Sequence, residues 1–164
     1  MASVQKLTSC LWFDGTAEAA ANFYVSVFKN AKLGRISHYP KEGQEVHQLA
    51  AFEVLVVEFE IEGQKFIGLN GGPQFKLSEA VSFIVNCDTQ AEIDYYWEKL
   101  TADGGEPGPC GWLKDKFGLS WQVAPSKVGD WITDADQRKS ARVFAEYNKM
   151  GKIDIAALEK AFAG

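Results

Sequence analysis

LWFDGTAEAAANFYVSVF, residues 11–28, joins the end of a strand, a break and an amphipathic helix in one run. Upstream, QKLTSCLWF (5–13) alternates, with Leu7, Ser9, Leu11 and Phe13 on one face and Thr8, Cys10 and Trp12 on the other. That is the period of a half-buried strand. Asp14-Gly15 ends it, and Thr16 stands where a helix cap is needed. From Ala17 to about Lys29, Ala20, Phe23, Tyr24, Val27 and Phe28 recur at helical spacing and form one apolar face.

Working downstream, strands are expected over 32–39 and 46–61, divided by Pro40-Lys41-Glu42-Gly43, and over 65–70 after Gly63-Gln64. The second of these sets Val57, Phe59 and Ile61 against Glu58, Glu60 and Glu62. So regular a carboxylate row is what a solvated strand face gives. The first half therefore reads β-α-β-β-β. The second half begins again with AVSFIVNC (80–87), where Val81, Phe83 and Val85 oppose Ser82, Ile84 and Asn86. A helix over about 90–102 carries Ile93, Tyr96, Trp97 and Leu100, and short strands at about 110–115 and 119–124 follow a glycine- and proline-rich loop. The strand expected directly after this helix is shortened or lost in that loop.

Placing Asp14 on Asp88 lays Thr8 on Ser82, and placing Gly63 on Gly118 lays Phe66 on Trp121 and Ile67 on Gln122. A repeat of roughly 70 residues exceeds solenoid periods and indicates a duplicated half-domain. The expected fold is α+β: duplicated βαβββ modules over about 5–72 and 80–125, with mainly antiparallel curved sheets, in one domain over 1–164. A helical tail over about 130–164 follows. In it, a run over 135–149 carries Val143, Phe144 and Tyr147, Gly151 ends it, and Asp154 caps a last helix with Ile155, Leu158 and Phe162. These apolar spots call for packing on the sheet or on a second subunit.

Composition removes several function classes. The 164 residues carry 17 Lys plus Arg against 22 Asp plus Glu, a net charge of −5. An acidic balance argues against nucleic-acid binding, which asks for a basic face. No apolar run reaches the roughly 18 residues of a membrane span. Residues 1–6 show no charged leader before an apolar stretch. Cys10, Cys87 and Cys110 are odd in number and lack C-x-x-C spacing, the usage of reduced thiols. A cytoplasmic location is expected.

A βαβββ unit occurring twice, with LWFDGTAEAAANFYVSVF at the front and CGWLKDKFGLSWQVAP (110–125) at the back, resembles the vicinal oxygen chelate superfamily of glyoxalases and bleomycin-resistance proteins. Within it the chain is most similar to the PhnB-like branch, whose domain bears the name 3-demethylubiquinone-9 3-methyltransferase. The likeness takes in the KIDIAALEKA tail (152–161). The resemblance implies ligand positions for a metal on the first and last strand of each module, and a closing run D-P-x-G-N-x-x-E. Asp115 and Gly118 match that run, and Gln122 stands where its Glu would be. The remaining positions fall on Thr8, Ile67 and Ser82. None of the four supplies the imidazole, thiolate or carboxylate that holds zinc or a transition metal. No metal and no other cofactor is expected. A methyl-donor nucleotide would need a glycine-rich loop running from a parallel strand into a helix. The one candidate, Gly68-Leu69-Asn70-Gly71-Gly72, leads into Pro73 and reads as a turn.

Other chemistry-bearing residues are few. The turn near 40–45 sets His38 opposite His47, an ordinary cross-strand pair that falls short of the three or four ligands of a stable metal site. Cys110 is the candidate catalytic residue, a nucleophile if a base or the charges of Lys114 and Lys116 lower its pKa, and otherwise a small packing residue. Asp134-x-Asp136 lacks the glycine of a calcium loop and starts a helix. What remains is a face lined by Thr8, Cys10, Trp12, Ile67, Leu69, Ser82, Asn86 and Gln122, suited to a small, partly apolar, planar molecule. The leading expectation is a metal-independent small-molecule-binding protein that forms a homodimer. The alternatives are a superfamily enzyme of lyase, dioxygenase or transferase type, and a structural homodimer with a vestigial cup.

Overall fold

Leu11 and Phe13 are buried while Cys10 and Trp12 are not, so β1 (Ser9–Phe13) turns one face inward as its alternation requires. The computed structural model describes residues 5–43 and 53–164, which divide into two units, Met1–Leu77 and Ser78–Gly164. In the first, β1 is followed by α1 (Ala17–Val27), β2 (Ala31–His38), β3 (Val54–Ile61) and β4 (Gln64–Asn70). The strand order is β1-β4-β3-β2, with β1 parallel to β4 and the other pairs antiparallel. Ala17, Ala20, Ala21, Tyr24 and Val27 of α1 are buried, as are Val57, Phe59, Ile61 and Phe66 of the sheet. Phe59 and Phe66 stack with centroids 5.2 Å apart, and Tyr24 lies 5.8 Å from Phe59.

The second unit repeats this plan. Its elements are β5 (Ser82–Cys87), α2 (Gln90–Thr101), β6 (Glu106–Pro107), β7 (Trp112–Lys114) and β8 (Ser120–Pro125), in the order β5-β8-β7-β6. Again the first and last strands are parallel and the rest antiparallel. The strand after the helix survives as the two residues of β6. The parallel registers carry the repeat residue by residue: Cys10 faces Ile67 in one unit and Ile84 faces Gln122 in the other. Gly71 N donates to Phe13 O just as Ser126 N donates to Cys87 O. The fold class is α+β with duplicated βαβββ modules, each sheet mixed but mainly antiparallel.

Four local expectations change. β1 begins at Ser9, so Thr8 precedes it. Thr16 makes no capping hydrogen bond. The cap comes from the far end of β4, where Asn70 Oδ1 accepts from Ala17 N at 2.9 Å. A buried acceptor fixed by the sheet can satisfy an orphan helix donor as well as a local side chain can. His38 stands opposite Val54, not His47, because Tyr39 N already donates to Glu53 O. His47 and the 46–52 part of the expected strand lie outside the described residues. Glu62 is not on the strand face: β3 ends at Ile61, and Glu62 sits in the turn at φ 48°, accepting from Asn30 Nδ2.

The second unit is capped as its sequence allows. Thr89 accepts from Glu92 N at 3.2 Å while Glu92 Oε2 accepts from Thr89 N at 3.1 Å, a reciprocal box at the start of α2. The tail forms α3 (Val128–Ile132), α4 (Gln137–Tyr147) and α5 (Ile155–Ala163), the latter two capped by Asp136 and Asp154. Five residues are too few for α3 to show a periodicity. Val143, Ile153 and Leu158 are fully buried. Gln90 fastens the tail to α2, donating to Ile153 O at 3.0 Å and accepting from Ile155 N at 2.9 Å. Met150 O and Gly151 O accept from Cys110 N and Gly111 N at 2.7 and 2.8 Å.

Candidate functional site

Each sheet has one face covered by its helix and one open face, and the site residues expected from sequence fall on the open faces. On the first, Cys10 and Trp12 of β1 stand beside Ile67 and Leu69 of β4. Thr8 and Ile67 border one groove of about 270 Å³. Glu58 faces Ile67 from β3 and is held by two guanidinium nitrogens of Arg35, Nη2 to Oε1 at 2.7 Å and Nε to Oε2 at 3.2 Å. The guanidinium keeps this carboxyl below its ordinary range. Glu60 pairs with Lys32 at 3.3 Å. The carboxylate row is thus a paired one on the open face.

Trp12 is fixed rather than free to reorient. Its Nε1 donates to Gly72 O at 2.8 Å, and Phe75 meets the ring edge-on with centroids 4.9 Å apart. A Cβ on Gly71 would lie 2.2 Å from Trp12 Cζ2, so the glycine is there to let the indole lie against the backbone. The single indole donor is already used, which leaves Trp12 a stacking role. Phe75, 65% exposed, extends the apolar surface. Sequence reasoning missed it because it lies in a loop without periodicity.

On the second open face, Gln122 Nε2 donates to Ser82 Oγ at 2.9 Å. The two positions carried over from the superfamily's metal site are therefore partners of each other. Ile84, 57% exposed, and Trp112 flank Gln122 on the neighbouring strands, and Asn86 faces Ala124. Trp112 was not singled out from sequence, although its place two residues before Lys114 in the same alternation as Gln122 made its face legible. Lys114 pairs with Glu79, and the contact raises the ammonium pKa while lowering that of the carboxyl.

The Cys110 thiol donates to Asn148 Oδ1 at 3.5 Å, and the two lysines whose charge could activate it, Lys114 and Lys116, pair with Glu79 and Asp103. Cys87 is buried, and burial with the nearby charges of Glu92 and Asp88 pushes its thiol up to about 12. Thiol titration at about pH 8 is expected to label the exposed Cys10 in the folded chain and Cys87 only after unfolding.

Asp115 and Gly118, the residues matching the superfamily's closing run, are structural. Asp115 Oδ1 accepts from Phe117 N at 2.8 Å and Leu119 N at 3.1 Å, and Oδ2 accepts from Trp121 Nε1 at 2.8 Å. Gly118, at φ +86°, makes the turn this cradle requires.

A family model described as 3-demethylubiquinone-9 3-methyltransferase matches residues 5–124. The chain belongs to this PhnB-like family. It is 34% identical to the PhnB protein from Bacillus cereus, with a TM-score of 0.63, over 74% of this chain and 99% of that one. PA1353 from Pseudomonas aeruginosa shares the fold at 17% identity and a TM-score of 0.60, over 75% and 98%. FosX from Listeria monocytogenes, solved with Mn(II) and sulfate, is 17% identical with a TM-score of 0.49, over 76% and 91%. No curated protein sequence matches the chain. The duplicated PhnB-like architecture places the chain in the vicinal oxygen chelate superfamily. The family match stops at 124, so the tail that resembles the branch in sequence lies beyond it.

The groups implied by the family can be tested against the residues. For a methyl-donor nucleotide, the backbone faces of the glycines are filled by protein: a Cβ on Gly68 would meet Ala17 at 3.3 Å and one on Gly71 would meet Trp12. No helix follows β4 before β5. The residues do not fit a nucleotide cradle. For a metal, Ile67 has no donor atom and the Gln122 amide holds Ser82. Among the described residues no three His, Cys, Asp or Glu come together as a metal site. No helix among them is long and apolar enough to cross a membrane.

Proposed function

We propose that this PhnB-like chain is a small-molecule-binding protein that holds a ligand on an open sheet face without a metal. The observation that carries this is the Gln122–Ser82 hydrogen bond at positions where the superfamily's metal ligands would stand. It leaves Gln122 Oε1 as an acceptor beside the exposed Ile84 and Trp112. On the other unit, a fixed indole offers a stacking surface. Native mass spectrometry of the purified chain, together with elemental analysis, tests the proposal. A co-purified organic molecule without stoichiometric metal supports it, and one zinc, nickel, manganese or iron per chain at Thr8, Ile67, Ser82 or Gln122 overturns it.

Trp12→Ala is expected to weaken a ligand stacked on the first unit's open face by about 1–3 kcal/mol, the scale of a buried aromatic anchor. For a ligand on the second unit's open face, Gln122→Leu is expected to cost about 1–3 kcal/mol where the amide meets a buried polar ligand atom. Isothermal calorimetry beside a thermal melt checks each, and wild-type affinity in a variant removes its residue from the binding face of its unit. The proposed assembly is a homodimer in the cytoplasm. Phe144, 54% exposed on α4, is an apolar position the tail does not bury. Equilibrium sedimentation at micromolar concentration decides the oligomeric state.

A further inference from the structure

One row of the second open face begins at Ser82 of β5, whose hydroxyl is taken by Gln122, and continues across β8 at Ser120. Ser120 of β8 stands opposite Lys114 of β7, and Lys114 opposite Glu106 of β6. Ser120 is 1% exposed, and among the described residues its Oγ has no hydrogen-bond partner. A buried hydroxyl left so carries a desolvation cost that a ligand atom would relieve. Ser120 also borders a groove of about 430 Å³ walled by Pro107, Pro109 and Trp112, a volume in the range of small-molecule sites.

The walls are held in advance. Gly108 N donates to Trp112 O at 2.8 Å and Trp112 N to Pro109 O at 2.9 Å, while the tail's Met150 O takes Cys110 N. Two prolines and a closed hydrogen-bonded loop leave little entropy to lose on binding. The charges choose among ligands. Lys114 is the one ammonium in the groove and is already clamped by Glu79, and Glu106 adds a second carboxylate. The groove is therefore net negative and opposes an anion, while Trp112 offers a ring face that attracts a cation.

We infer that this groove binds a small aromatic amine, its ammonium at Glu106, its ring against Trp112 and a hydrogen-bonding group at its far end on Ser120 Oγ. The inference rests on the ligand-binding reading above and narrows it to one groove and one class. From β8 to β6 is two strand spacings, about 10 Å, which a ring with a two-carbon amine arm spans.

The experiment is an amide and indole NMR titration of the full chain with three probes: tyramine, phenethylamine and 3-(4-hydroxyphenyl)propanoate. Saturable shifts with tyramine are expected at Gly108, Ser120 and the Trp112 indole, weaker ones with phenethylamine, and none there with the acid. Glu106→Gln is expected to weaken tyramine about tenfold, the loss of a charge-assisted contact. Ser120→Ala is expected to bring tyramine down to the affinity of phenethylamine and to leave phenethylamine unchanged. Glu106 is exposed, so Glu106→Gln decides the matter even where Ser120→Ala fails to fold. Equal binding of the acid, shifts confined to other residues, or no saturable shift with tyramine overturns the inference. In that event a co-purified molecule in native mass spectrometry leaves the broader reading standing, and its absence removes both.

Discussion

Asp115→Ala is expected to destabilise the second unit by about 3–4 kcal/mol, because one carboxylate satisfies three donors and all three lose their acceptor. Asp115 is 3% exposed and Trp121 is buried beside it, so water does not take over the indole N–H. For a unit of this size that loss lowers the melting temperature by roughly 15–25 °C. Asp115→Asn keeps one acceptor oxygen and is expected to fall between alanine and wild type. Thermal or urea unfolding monitored at Trp121 measures both. Alanine melting within a few degrees of wild type would remove the cradle from the account of why this Asp-x-x-Gly run is present.

Gly111→Ala is expected to cost about 3 kcal/mol or more. Its φ of +77° lies in the left-handed region, which costs an L-residue about 1–2 kcal/mol by itself. The added Cβ would also lie 2.6 Å from Val123 O, a backbone atom inside β8 that cannot turn aside as a side chain does. Relief requires the loop to move off β8. That motion breaks both Val123 N to Gly111 O and Gly111 N to Gly151 O. Hydrogen exchange is expected to show lost protection at Val123 and Gly111 together. A variant that melts like wild type would show that the loop has room to move.

Much of this architecture was written in local patterns. The alternation of Leu11 and Phe13 with Cys10 and Trp12, and of Val85 with Ile84, gave the strand faces because one side of each sheet is covered by a helix and the other is not. The paired Gly63 and Gly118 gave the register of the repeat, since a turn fixes where a strand can begin. What escaped was whatever depends on contacts across sequence. The helix cap moved from Thr16 to Asn70, 53 positions from the N–H it serves. The indole donor of Trp12, open in sequence, is engaged by Gly72 O, 60 positions away. The Lys114–Glu79 pair, which joins β7 to the turn before β5, and the Ser120 hydroxyl left without a partner among the described residues likewise depend on tertiary packing, which composition does not encode. Thr8 and Gln122 were placed by resemblance, which does not carry the hydrogen bond from Gln122 to Ser82 on the neighbouring strand.

The two carbonyls that the tail lends to Cys110 and Gly111 redraw the unit that can be exchanged between relatives. The family match ends at 124, yet the corner leading into β7 is tied to Met150 and Gly151. A chimera cut at the family boundary would therefore import a loop whose N–H groups were shaped for acceptors left behind. A graft that carries residues 78–164 as one piece keeps donor and acceptor together, so the heritable module is longer than the recognisable one.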